Sequence, residues 1–142
     1  MFCGMFEDIP VEYDSSARLV TIFDSLEHHR SPVDTLKTAW RVTDDNGFVF
    51  ADVPNIDYAV AQHNIAYYDW FESDHLMYFS RASIIKAFEQ AGFKNIETFT
   101  PPLSEHELGE CRWAGINISP EYLANVPQYS KGKKLWCVGQ KV

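Results

Sequence analysis

The chain has 142 residues, the length of a single domain, and its 46% hydrophobic and 15% aromatic content point to a packed globular protein, not a disordered one. Twenty acidic residues against twelve Lys and Arg leave a formal charge of −8. That balance excludes a nonspecific nucleic-acid binder and a binder of anionic membranes, both of which need clustered cations, and no apolar run approaches the ~20 residues of a membrane helix.

Residues 1–18 carry a Gly, a Pro and a polar run, and read as loop with one short turn. Residues 19–23 (LVTIF) form a short apolar run of strand formers, which predicts a strand covered on both faces. The polar residues 24–30 end it. Ser31, Pro32 and Asp34 form a helix start, with Ser31 as N-cap and Pro32 in the first turn. Val33, Leu36, Trp40 and Thr43 recur at helical spacing, and Asn46-Gly47 is expected to stop that helix. Residues 48–53 (FVFADV) are the next strand, closed by Pro54-Asn55. Residues 56–79 carry seven aromatics, a composition suited to packing over a pocket. Ser80 caps a second helix with Ile84, Ile85, Phe88 and Ala91 on its apolar face and Gly92 as its C-terminal cap. Residues 93–99 predict a strand ended by Pro101-Pro102. Residues 103–130 form a long excursion with a short helix from Ser119-Pro120, and residues 135–138 are the last strand.

Strands alternating with helices predict an α/β fold with a mostly parallel sheet. Between residues 93–99 and 134–141 there is no clear crossover helix, so the last strand is expected to run antiparallel. Cys3, Cys111 and Cys137 are scattered, with no CxxC pair, which speaks against a zinc or redox framework. Reduced thiols and an N-terminus unlike a signal peptide lead to the expectation of a cytoplasmic protein.

Several short motifs occur in a telling order. An apolar run followed by Asp24-Ser25-Leu26-Glu27-His28 comes first, then Asn46-Gly47 and Val53-Pro54-Asn55. Asp74-His75-Leu76-Met77-Tyr78-Phe79-Ser80 follows and leads to Ala91-Gly92-Phe93. This ordered set resembles the C-terminal part of class I S-adenosylmethionine-dependent methyltransferases. The resemblance implies a partial Rossmann-like methyltransferase sheet, mostly parallel with an antiparallel C-terminal strand, in one truncated domain over residues 1–142. A glycine-rich cofactor loop does not precede it: Gly4 has no companion glycine and follows no strand.

The resemblance implies a methyl transfer from S-adenosylmethionine to a small-molecule acceptor. Asp8 and Asp24 are then expected on the cofactor side, and Glu27, Asn55, Trp70 and Tyr78 at the substrate. His28 and His75 become candidate bases. Asp24, Glu27, His28 and His75 together resemble the Mg²⁺- or Mn²⁺-binding turn of plant small-RNA 2′-O-methyltransferases, and also the acid-x-x-Glu-His turn of ubiquinone-biosynthesis O-methyltransferases. Three uses stay open for this turn: a mixed N/O metal site, a substrate wall with a general base, or a purely structural role.

Asp52 reads as a structural or cofactor-side acid. His29, His63 and His106 lack partners in sequence and are expected to be exposed. The basic stretch 131–134 reads as a solvated turn. The chain shows no Ser-His-Asp order, nucleophile elbow or phosphate loop. The alternative to an enzyme is a non-catalytic module derived from a methyltransferase. In either case the strand at 19–23 is expected at an open sheet edge, which predicts a homodimer or a partner that supplies the missing half.

Overall fold

β1 (Ala17–Phe23) and β2 (Thr43–Pro54) run parallel, with Val20 opposite Val49 and Ile22 opposite Ala51. A computed structural model describes residues 3–65, 68, 71–125 and 127–142 of the chain. The last strand, β4 (Lys134–Gln140), inserts antiparallel between β2 and β3 (Lys94–Phe99), giving the order β1-β2-β4-β3. The chain leaves β3, runs through residues 100–133 and comes back to pair antiparallel beside it.

One face of the sheet is covered by α1 (Pro32–Val42) and α3 (Arg81–Ala91). Val49, Ala51, Val53, Leu135 and Cys137 point to that face and pack with Leu36, Ala39, Ile84 and Phe88. α3 is held at both ends. Ser80 and Ser83 form a reciprocal cap, and Gly92 closes the helix at φ +105°, a conformation glycine adopts without a Cβ penalty. Ser31 does not cap α1; its hydroxyl donates to the Asp34 carboxylate at 2.6 Å.

The Asn46-Gly47 pair lies inside β2 instead of ending a helix. Helix α1 already stops at Val42, and the pairing with β1 jumps from Ala17–Thr43 to Leu19–Phe48 across this irregularity. A Cβ on Gly47 would stand 2.7 Å from Thr43 Cγ2 and 2.8 Å from the Asp44 carbonyl, so the bend needs glycine.

The expectation that β1 is covered on both faces is overturned. Of its apolar residues only Ile22 is buried, and Leu19 and Phe23 are each 57% exposed. Strand alternation places Leu19, Phe23, Phe48, Phe50, Phe99 and Trp136 on the face opposite the helices, where Phe50 contacts Phe23, Phe99 and Trp136 ring to ring. Among the described residues β1 is an edge strand, and no helix covers this aromatic face. An apolar run reports only that both faces tolerate burial, not that both covers are present.

A smaller core lies over the carboxyl end of the sheet. Tyr58, Val60, Ala61, Tyr68, Cys111 and Ala114 bring together α2 (Ala59–His63) and α4 (Glu105–Trp113). Helix α4 was not anticipated, because its sequence EHELGECRW has no apolar stripe. Its one sequence signal is the reciprocal Ser104–Glu107 cap. The expected short helix is α5 (Pro120–Asn125). Among the described residues no helix is long and apolar enough to cross a membrane.

Candidate active site at the carboxyl end of the sheet

The chain leaves β1 through Asp24, at φ +42°, and enters a single 3-10 turn, Leu26–His28. Leu26 and Glu27 are buried in this turn, so the Glu27 carboxylate is drawn inside while His28 stays at the surface. The loop before α3 closes over it: the amides of Leu76 and Met77 both donate to the Glu27 carbonyl, at 3.0 and 3.2 Å. His28 Nδ1 lies 2.9 Å from the Asp74 carbonyl. A carbonyl only accepts, so Nδ1 carries the proton, and the neutral ring keeps its lone pair on Nε2. That nitrogen stands 3.9 Å from Glu27 Oε1, and the His75 ring meets His28 edge-on at 4.8 Å.

Glu27, His28 and His75 thus offer ligand atoms within 4.8 Å of one another, and Glu72, Asp74 and His75 form a second, more exposed group of the same kind. Glu27 Oε2 is buried and has no hydrogen-bond partner among the described residues. Burial pushes the Glu27 carboxyl above its ordinary range, against the opposing pull of its own backbone amide, His28 and His75. These groups line a cleft of about 250 Å³ with Asp24, Pro54, Glu72 and Lys134. Chemically the set can take a proton from a bound acceptor, or hold a divalent cation with one carboxylate and two imidazoles.

Asp24 does not join the imidazoles. Its carboxylate accepts from Lys134 Nζ at 3.1 Å, and the same ammonium reaches the Asp52 carboxylate at 3.1 Å. Trp136 Nε1 also donates to Asp52, at 2.8 Å. Burial raises the Asp52 carboxyl, opposed by these two donors. Burial alone would lower the Lys134 ammonium, but its two carboxylate partners hold it above the usual lysine range. Lys133 is also buried, with Nζ 2.9 Å from Glu110. The reading of residues 131–134 as a solvated turn is therefore corrected: two of its cations are internal partners of acids distant in sequence. On the far side of Lys134 lies a cleft of about 620 Å³ floored by Asp52 and Trp136 and walled by Pro101, Pro102 and His106.

Asn55 is buried: its side-chain amide donates to the Gly132 carbonyl at 2.8 Å and its oxygen accepts from Asp57 N at 3.0 Å. It ties the end of β2 to the start of β4. Tyr78 accepts from Glu72 N and donates to the Glu72 carbonyl, with its ring beside Phe71 and His75. Trp70 lies outside the described residues. Asp8 is exposed on the 3-10 turn Phe6–Asp8. His63 and His106 are exposed as expected, but His29 is not: its side chain is 19% exposed and bonded to Glu7, Ser25 and Thr35. Glu7, Ser25 and Lys134 were missed as site residues; the partners of Glu7 and Lys134 lie 22 and 110 positions away, beyond any local spacing rule, whereas Ser25 stands four residues before His29.

Residues 4–98 match a family model described as a methyltransferase domain. Among solved structures, an S-adenosylmethionine-dependent methyltransferase from Thermotoga maritima superposes with a TM-score of 0.69 at 16% identity, over 98% of this chain and 62% of its own. A counterpart from Archaeoglobus fulgidus gives 0.67 at 13% identity, over 99% and 66%. The Haloferax volcanii complex of the Trm112 methyltransferase activator with a methyltransferase gives 0.63 at 18%, over 99% and 60%. At such identities the likeness is one of fold. The chain spans about three fifths to two thirds of the length of these structures. No curated protein matches the sequence.

Proposed function

This chain belongs to the methyltransferase-domain family, and we propose that it forms the acceptor side of an S-adenosylmethionine-dependent enzyme that methylates a small molecule in the cytoplasm. The observation that carries the reading is the convergence of buried Glu27 with His28 and His75 at the carboxyl end of β1, where open α/β sheets bind their ligands. The cofactor, when bound, supplies an already activated methyl group. The protein's task is then to orient the acceptor and take its proton.

His28 Nε2 is the base in this reading. The Asp74 carbonyl fixes its tautomer, and Glu27 at 3.9 Å favours the imidazolium that forms. His75 walls the acceptor, backed by the Tyr78 ring, with Glu72 lining the same cleft. A second role for the cluster, supported by the unpartnered Glu27 Oε2, is to hold Mg²⁺ or Mn²⁺ through Glu27, His28 and His75.

Three of the described glycines leave no room for a nucleoside. Gly92, Gly132 and Gly139 are packed against Trp40, Thr100 and Phe88, and Asp24 is occupied by Lys134. The free edge of β1 and the bare aromatic face support the reading that further strands and helices complete the site. Among the solved relatives, the Haloferax volcanii methyltransferase was found with an activator protein. The same open face also supports the non-catalytic alternative, a pairing module.

The test is methyl transfer from tritiated S-adenosylmethionine by the protein purified from its own cells with its partners, read separately in the low-mass and macromolecular fractions of an extract. Label in the low-mass fraction that is lost with His28→Gln supports the proposal. Label confined to macromolecules removes the small-molecule acceptor, and no transfer at all favours the pairing module.

A further inference from the structure

Three side chains outside the Glu27 cluster stand in line. Ser25 Oγ lies 3.2 Å from His29 Nε2, and His29 Nδ1 lies 2.7 Å from Glu7 Oε1. Glu7 is held below the usual carboxylate range by its own backbone amide first, then by Thr35 and His29, so it only accepts. The proton of the 2.7 Å contact therefore sits on His29 Nδ1. In the neutral ring Nε2 then keeps its lone pair, and the Ser25 hydroxyl donates to it. The nitrogens have the order that nucleophilic catalysis by a serine requires: acid to Nδ1, hydroxyl to Nε2.

The surroundings hold this line in place. Thr35 is buried, and its Oγ1 is 3.0 Å from both Glu7 Oε1 and His29 Nδ1 and 3.3 Å from the Ser31 carbonyl. Ser25 follows Asp24, whose φ of +42° turns the chain sharply at the end of β1. A cleft of about 580 Å³ opens at the Glu7–His29 end of the line, with Met5, His28, Arg30, Ser31 and Asp34 around it.

We propose that Ser25 is a nucleophile towards small activated carboxylic esters, with His29 as general base and Glu7 as the positioning residue. Ser25 Oγ bonds to the ester carbonyl carbon as its proton passes to His29 Nε2. The carbon–oxygen bond to the alcohol breaks, and the departing alkoxide takes the proton from Nε2. Water then attacks the acyl-serine by the same route, releasing the carboxylic acid and restoring the hydroxyl. No redox partner is needed.

The test uses the full chain with a fluorophosphonate probe and with p-nitrophenyl acetate, and locates adducts by peptide mass spectrometry. One adduct on Ser25 is expected, absent in Ser25→Ala. His29→Gln should slow its formation by at least ~100-fold, the usual contribution of a general base. Glu7→Gln should slow it too, with Glu7→Asp recovering part of the rate, while melting temperatures stay near the parent's. Adducts only on lysine or histidine would overturn the proposal, as would an unchanged rate in a folded His29→Gln. Should that variant not fold, the parent rate against a blocked free serine decides: an enhancement below tenfold overturns it, and a larger one supports it.

Discussion

His28 donates its Nδ1–H to the backbone carbonyl of Asp74, 2.9 Å away and 46 residues later in sequence. A main-chain oxygen in one loop thereby decides which nitrogen of a side chain in another loop is free to act. The Glu27 carbonyl returns the link by accepting from Leu76 and Met77. The two loops form one unit, and the free nitrogen lies 3.9 Å from the buried carboxylate.

Replacing Glu27 should stabilise the fold at neutral pH. Burial raises its folded carboxyl above 4.5, so the unfolded chain loses this proton first as pH rises. Stability from this group is full below the unfolded value and is lost as pH climbs through the window from 4.5 to the raised folded value. Glu27→Gln removes that loss. The variant's melting temperature should exceed the parent's at neutral pH and converge with it below pH 4.5; a variant that melts lower at neutral pH would count against the assignment.

If the cluster holds a cation, Mn²⁺ at a hundred times its dissociation constant should stabilise the protein by about 2.7 kcal/mol. Differential scanning fluorimetry would register a rise of a few degrees, abolished by Glu27→Ala. No shift at millimolar Mn²⁺ leaves the base role alone.

The 142-residue chain by itself should bind S-adenosylmethionine weakly or not at all, since its sequence carries no glycine-rich cofactor loop. Titration calorimetry that returns a micromolar dissociation constant at one site per chain would refute this.

The open edge and aromatic face should drive association. Light scattering at tens of micromolar should give a dimer or a larger complex, and Leu19→Lys with Phe23→Lys should shift it to monomer with little change in melting temperature, because both side chains are already 57% exposed. A stable monomer of the parent chain would defeat the idea.

Packing between β4 and α3 should be intolerant of added volume. A Cβ on Gly139 would sit 2.6 Å from Phe88 Cδ1 and 3.0 Å from Phe93 Cβ. Gly139→Ala should cost about 1–3 kcal/mol, the usual range for overpacking, read by urea unfolding.

Local signals were legible in the sequence where the physics is local. Ser80 and Gly92 bound α3 as their cap chemistry dictates, and the apolar runs at 19–23, 48–53 and 135–138 lie within strands. The last strand is antiparallel as expected, although that expectation rested on the absence of a crossover helix, and helices α4 and α5 lie between β3 and β4. The Glu27-His28 turn and His75 were marked as a pair of motifs, and they do converge. Helix α4 was invisible because it packs with few apolar residues.

The residues by themselves determined the order of the strands along the chain, the caps of α3 and the acidic-histidine turn, because propensity, periodicity and capping act over a few positions. The tertiary structure alone decided the electrostatics. Lys134 was drawn from a basic stretch 110 residues away to separate Asp24 from the imidazoles, and Glu7 was brought to His29 across 22. It also decided that, among the described residues, no helix covers the outer face of β1, since an apolar strand favours burial but does not supply the cover. Pairings of this kind depend on which loops the sheet gathers at its carboxyl end, and that is a property of the whole fold.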